Sequence, residues 1–127
     1  MDTDPELAER IRRLPTARMA QREAKKRAHR QRADWLDVNV AMMDRVLEAK
    51  FSQHRSLCSM LRDTGFRTLI EDSPVRTAFR VLASQGPTYS QIDSFWGIGN
   101  DGRGHNELGK ALMRLREKLQ ARQRYYY

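Results

Sequence analysis

Residues 94–119, SFWGIGNDGRGHNELGKALMRLREKL, place four glycines within eight positions, between a tryptophan and an amphipathic run. Gly97-Ile98-Gly99-Asn100-Asp101-Gly102 is a literal G-x-G-x-x-G. A dinucleotide-binding loop of that form leaves a buried strand and opens a helix directly. Here TYSQIDSF, residues 88–95, precedes the glycines and is no apolar strand, and the helical pattern begins only after Gly104. No second strand follows that could end in a ribose-binding acid, and no Lys-Ser or Lys-Thr pair marks a phosphate loop. The doubly wound nucleotide fold is therefore excluded. A bare turn needs one or two glycines and leaves the density unexplained. What remains is a loop whose small residues let the backbone approach a ligand. Asn106 would cap the following helix, whose first amides would face an anion. Trp96 would offer a stacking face at the rim.

Working outward, Leu108, Ala111, Leu112, Leu115 and Leu119 recur at helical spacing and predict one buried stripe. Upstream, RTLIEDSP reads as a short strand over 68–71, ended by Asp72-Ser73-Pro74. Between them, VRTAFRVLAS reads as a helical excursion and QGPTYS as a loop. Four helices are expected before the strand. Asp4-Pro5-Glu6 starts the first, and Thr16 caps a second through about residue 32. Asp34 or Asp37 opens a third, with Val38, Met42, Val46, Leu47 and Phe51 on one face. Leu57, Cys58, Met60 and Leu61 mark a fourth, stopped at Thr64-Gly65. The expected fold is α+β, predominantly α-helical: a single compact domain with one or two short strands.

The chain has 127 residues and 39% hydrophobic residues, enough for one small domain with a modest core. No apolar run approaches the roughly 18 residues of a membrane span, and the acidic N-terminus reads as no signal peptide. A soluble, cytoplasmic protein with no membrane partner is expected. Cys58 is the sole cysteine, which excludes an internal disulfide, and its apolar neighbours suggest a buried thiol rather than a nucleophile. His29, His54 and His105 share no ligand-like spacing, so no metal is expected. Net charge is +8, and residues 10–32 supply the whole excess with ten Lys or Arg against Glu23 alone. Such a segment could meet nucleic acid or a phosphate-bearing ligand. Its plainer reading is a solvated helix face, since too few aromatics interleave it for base stacking.

The glycine stretch resembles the NADAR family, the YbiA-like N-glycosidases. The family's WG-x-G-x-x-G-x-G-x-N-x-LG-x-x-LM-x-x-R stands here as Trp96-Gly97, Gly99, Gly102, Gly104, Asn106, Leu108-Gly109, Leu112-Met113 and Arg116. ADWLDVNVAMMDRVLEAKFSQH is similar to the family's DW-x-x-V…M…AL-x-AKF-x-Q helix, and LRDTGFRTLIEDSP to its L-x-x-TG-x-x-x-LVE-x-SP block. PTARMAQREAKK is similar to a weaker basic helix, so the resemblance covers roughly residues 4–119. Family members carry, further upstream, a W-x-x-x-EHY-x-Q-x-x-KF motif whose Glu and aromatics belong to the family's active site. This sequence begins after it. The expectation is an N-terminally truncated domain over 1–120, an insertion at 75–91, and a disordered tail at 121–127.

The resemblance implies hydrolysis of an N-glycosidic bond, with no cofactor. The implied substrate is a phosphoribosylamino pyrimidine of riboflavin synthesis, or ADP-ribose on guanine. The ligand would thus be a phosphorylated nucleoside-like or ADP-ribosyl compound, within reach of nucleic acid. Such a reaction needs an acid to protonate the departing base, or a carboxylate to steady the sugar cation and activate water. Glu71, which matches the acid of the LVE block, is the catalytic candidate; its plainer reading is a charge bound to a neighbouring Arg. Asp72 is a weaker one. Trp96, Gly97, Gly99, Asp101, Arg103, Asn106 and Lys50 are the binding candidates. For Asp101 the plainer reading is a turn with Gly102; for Lys50 and Arg103, solvated charges; for Asn106, a cap; for Trp96 and Trp35, core packing. An inactive ADP-ribose-binding remnant and a basic nucleic-acid-binding protein acting through residues 10–32 are the alternatives.

Overall fold

A computed structural model of the chain describes residues 4–71, 94–99 and 101–124. Every regular element among them is helical. α1 spans Pro5–Arg12, α2 Ala17–Lys26, α3 Trp35–Gln53, α4 Arg55–Asp63 and α5 Glu107–Arg124, with a 3-10 turn at Ala28–Arg30. The helical excursion and loop expected at 75–90, the insertion at 75–91 and Asp72 lie outside the described residues.

Contacts divide the chain into two units, Met1–Asn39 and Val40–Tyr127, with the boundary inside α3. In the first unit the capping signals act as read. Asp4 Oδ1 accepts from the Leu7 amide at 3.0 Å, ahead of Pro5 at the first helical position. Thr16 Oγ1 accepts from the Met19 amide at 3.2 Å. The second helix ends at Lys26, short of residue 32, and gives way to the 3-10 turn. Neither α1 nor α2 buries a residue fully. Ion pairs supplement this thin packing: Arg10 and Arg27 with Glu23, Arg30 with Asp4, Arg12 and Arg13 with Glu9, Arg32 with Asp34. The side chains of six of the segment's ten cations are thus paired within their own unit.

The core of the second unit is small. Leu47 from α3, Leu61 from α4, and Ala111 and Leu115 from α5 are buried, with Met43, Phe51, Leu69, Leu108, Leu112 and Leu119 packed against them. The α5 stripe matches its helical spacing. On α3 the inward row is Met43–Leu47–Phe51, while Val46, expected on that face, is 60% exposed. Cys58 is half-buried. Asp44–Arg114, Glu48–Lys118 and Glu48–Arg122 tie α3 to α5 at the surface. Such exposed pairs contribute little each. α5 runs on through Arg124, past the point where a disordered tail was expected to begin.

The α+β expectation is corrected: among the described residues there is no strand and no sheet. Residues 68–71 are extended, and they alternate as a strand does, with Leu69 and Glu71 partly buried and Thr68 and Ile70 exposed. Their partner is a helix. Gln120 Nε2 donates to the Gly65 carbonyl at 3.4 Å, Arg116 Nη1 to that of Arg67 at 2.8 Å, and Asn106 Nδ2 to that of Leu69 at 2.9 Å. Alternate carbonyls of residues 65–69 are therefore satisfied by two side chains of α5 and by that of Asn106, the residue before it. Backbone groups must be paired, and here a helix face does what a neighbouring strand would.

Candidate functional site

The glycine stretch is a bracket folded onto the start of α5. Five consecutive amides, 104–108, donate to the five carbonyls of residues 94–98. Gly104 bonds Ile98 at 2.8 Å, His105 bonds Ser94 at 2.6 Å, Asn106 bonds Gly97 at 2.9 Å, Glu107 bonds Phe95 at 2.9 Å and Leu108 bonds Trp96 at 3.0 Å. The first two amides of α5, those of Glu107 and Leu108, are thus taken by the 94–98 turn and are not open to the anion expected there. The glycines have more than one cause: Gly99 and Gly102 adopt positive φ, and Gly104 is held by sterics. A Cβ on Gly104 would lie 2.5 Å from the Gly97 oxygen and 2.6 Å from the Ile98 carbonyl carbon. Only glycine lets the two backbones come this close.

Glu71 is bound to this bracket on both sides. Its amide donates to Asn106 Oδ1 at 2.8 Å, and its carbonyl accepts from the Ile98 amide at 3.1 Å. Asn106 stands immediately before α5 with φ +54°, a left-handed conformation that asparagine tolerates better than most residues. Its side-chain amide reproduces a peptide group: the oxygen takes the Glu71 N–H, and the nitrogen gives to the Leu69 C=O. The cap position read from sequence is right, but the side chain serves the extended segment. Gly109, one helical turn on, makes room; a Cβ there would collide with the Leu69 carbonyl oxygen and sit 2.5 Å from both amide heavy atoms of Asn106.

The other candidates fall into two groups. Trp96, Gly97 and Gly99 lie in the bracket; both glycines are buried, and Trp96, partly buried, meets Phe95 edge to face with ring centroids 4.9 Å apart. Phe95 also lies 6.0 Å from the His105 ring. Asp101 and Arg103 occupy the exposed tip, where Asp101 Oδ1 accepts from the Arg103 amide at 3.0 Å, an Asx turn. Lys50 is exposed near the end of α3, and no hydrogen bond or ion pair ties it to the bracket. Glu71 is partly buried, and among the described residues no Arg or Lys pairs with its carboxylate. Trp35, at the first position of α3, is partly buried.

Two contributors carried no role in the sequence reading. Gly109 breaks an otherwise good helical run, and a glycine inside a helix marks a close approach. Arg116 is only 7% exposed and reaches Thr64 Oγ1 and the Arg67 carbonyl, both at 2.8 Å, which holds the turn after α4 and starts the extended segment toward Glu71. Its signal is a charged residue beside Leu115 in the buried stripe.

The NADAR domain family matches residues 1–87. A riboflavin biosynthesis protein of Vibrio vulnificus is 36% identical over 117 residues, which cover 92% of this chain and 27% of the relative. N-glycosidase YbiA of Escherichia coli is 33% identical over 116 residues, 91% of this chain and 62% of the relative. A chloroplastic riboflavin biosynthesis protein, PYRR, of Arabidopsis thaliana is 38% identical over 87 residues, 68% of this chain and 12% of the relative. The chain thus spans less than two thirds of the length of these relatives. The family match stops before the glycine bracket, whereas the first two alignments leave out under a tenth of the chain and so reach into it. No solved structure matches. With two thirds of its residues matched by the family and a curated relative at 36% identity across nearly all of it, the chain belongs to the NADAR family.

Proposed function

We propose that this chain acts as an N-glycosidase on a sugar phosphate linked to a nitrogen base, with Glu71 as the working carboxylate. The observation that carries the proposal is the double anchoring of Glu71 to the glycine bracket, 2.8 Å on one side and 3.1 Å on the other, with its carboxylate outside any ion pair of the described residues. Family membership and the printed names of the relatives, an N-glycosidase and riboflavin biosynthesis proteins, support the same class.

In this reading the bond between the anomeric carbon and the base nitrogen breaks, and its electron pair leaves with the nitrogen. Protonated Glu71 gives that nitrogen its proton. The resulting carboxylate faces the oxocarbenium-like sugar and takes a proton from the water that adds to it. Trp96, Gly97 and Gly99 border the heterocycle, while Arg103 and Lys50 supply positive charge for phosphate. The substrate is a phosphoribosylamino pyrimidine or ADP-ribose on guanine. The basic segment 10–32 has no part in the chemistry, since most of its cations are paired within their own unit.

The test is release of sugar phosphate, followed by mass spectrometry, from each substrate class by the chain and by Glu71→Gln. The expected outcome is release by the chain and a loss of about 100-fold or more in the variant, the scale of removing a general acid–base group. No release from the folded chain, or equal release from the variant, contradicts the proposal. Binding without release would leave a ligand-binding protein.

A further inference from the structure

We propose that Asn106 is the positioning residue of Glu71, and not a ligand contact. The importance of Glu71 rests on the N-glycosidase reading; the clamp itself does not. Three observations converge on it. First, the Asn106 amide holds both sides of Ile70, accepting from Glu71 N–H at 2.8 Å and donating to Leu69 C=O at 2.9 Å. The segment has no strand beside it among the described residues, so this pairing and the Ile98 bond are what fix the backbone from which the Glu71 carboxylate projects. Second, Asn106 adopts φ +54°, which glycine would adopt at less cost. The nearby Gly102, at φ +75° with open space where a Cβ would sit, shows that this loop uses glycine where only the backbone conformation matters. A side chain retained at such a position is required for itself. Third, α5 is relieved to admit the clamp: Gly109 has no Cβ where the Asn106 amide and the Leu69 carbonyl lie.

A carboxylate that must protonate a leaving nitrogen needs its geometry set before the substrate arrives. Loss of the clamp should therefore lower kcat and leave KM nearly unchanged, whereas loss of a ligand contact shared by ground and transition states would raise KM.

The experiment measures amide hydrogen exchange by NMR together with steady-state kinetics in Asn106→Gly, Asn106→Asp and Leu119→Ala. Asn106→Gly keeps the backbone conformation accessible and removes both bonds. Asn106→Asp keeps the oxygen that accepts from Glu71 and removes the donor to Leu69. Leu119→Ala lowers stability from the core, away from the clamp. In Asn106→Gly the Glu71 amide should exchange about 10-fold faster or more relative to the amides of α5, and kcat should fall about 10-fold or more with KM within about 3-fold. Asn106→Asp should fall between this variant and the parent. In Leu119→Ala the Glu71 amide should keep its exchange rate relative to α5. If Glu71 in the Asn106 variants instead exchanges in step with α5, or KM rises at constant kcat, the proposal is overturned. Should Asn106→Gly not fold, Asn106→Asp carries the same comparison. Should the parent chain release no sugar phosphate, the N-glycosidase reading falls, and the exchange data alone still decide whether Asn106 holds Glu71.

Discussion

Asn106 and Gly109 act as a pair, one supplying an amide and the other the space for it. Their pairing reverses an ordinary expectation. Gly→Ala inside a helix normally stabilises by about 1 kcal/mol. At Gly109 the new methyl group would press on the Leu69 carbonyl oxygen and the Asn106 amide, both fixed by hydrogen bonds. Gly109→Ala should instead destabilise by about 2 kcal/mol or more, as overpacking does. Urea denaturation checks the sign; a stabilised variant would refute the close approach. At this scale the sequence was partly legible. Asn106 was identifiable as the residue before the helix, and Glu71 as the end of the extended segment. That the two are joined was not, because a side chain reaching the backbone 35 residues away leaves no periodic trace. Gly104 and Gly109 answer to close contact within the chain, and Gly102 to a positive φ.

Among the elements, the short strand expected over 68–71 shows what alternation can and cannot say. The period of two is real, since Leu69 packs on the core while Ile70 is 57% exposed. Alternation reports that a segment is extended with one face covered; it does not name what covers it. Here the cover is α5, through Gln120 and Arg116, with Asn106 just ahead of it. The helices were more legible because their signals are local: the Asp4 and Thr16 caps and the α5 stripe need nothing from distant residues. Val46 lay off the α3 face because period alone admits neighbouring rows. α1 also makes a testable electrostatic contribution. Hydrogen bonds from Arg12 first and Arg13 second hold the Glu9 carboxyl below its ordinary value of 4.5. A lowered folded-state pKa stabilises above the unfolded value and loses that contribution as pH falls through the folded value. α1 should therefore lose helicity as pH falls below about 4.5, with a smaller change in high salt. Circular dichroism of the chain against Glu9→Gln reads this: the difference between the two should vanish at low pH, and a difference that persists there would contradict it.

For the molecule as a whole, the excess charge of residues 10–32 was read first as a solvated helix face, with nucleic acid as an alternative partner. Glu23, Glu9, Asp4 and Asp34 pair with six of that segment's ten cations; most of these pairs are local, and Arg10–Glu23 and Arg30–Asp4 join positions that a charge count does not connect. No helix among the described residues is long and apolar enough to cross a membrane. The proposed site lies in the second unit, where an extended segment and the glycine bracket meet at the Glu71 backbone. The most direct measurement is an NMR titration of the chain with ADP-ribose and with ribose 5-phosphate. The expected result is saturable shifts concentrated at Glu71, Trp96, Gly97, Ile98 and Gly99, with residues 10–32 unmoved. Shifts centred on Arg18, Arg22, Lys25 and Lys26, or no saturable shift in the bracket, would contradict the assignment of this site.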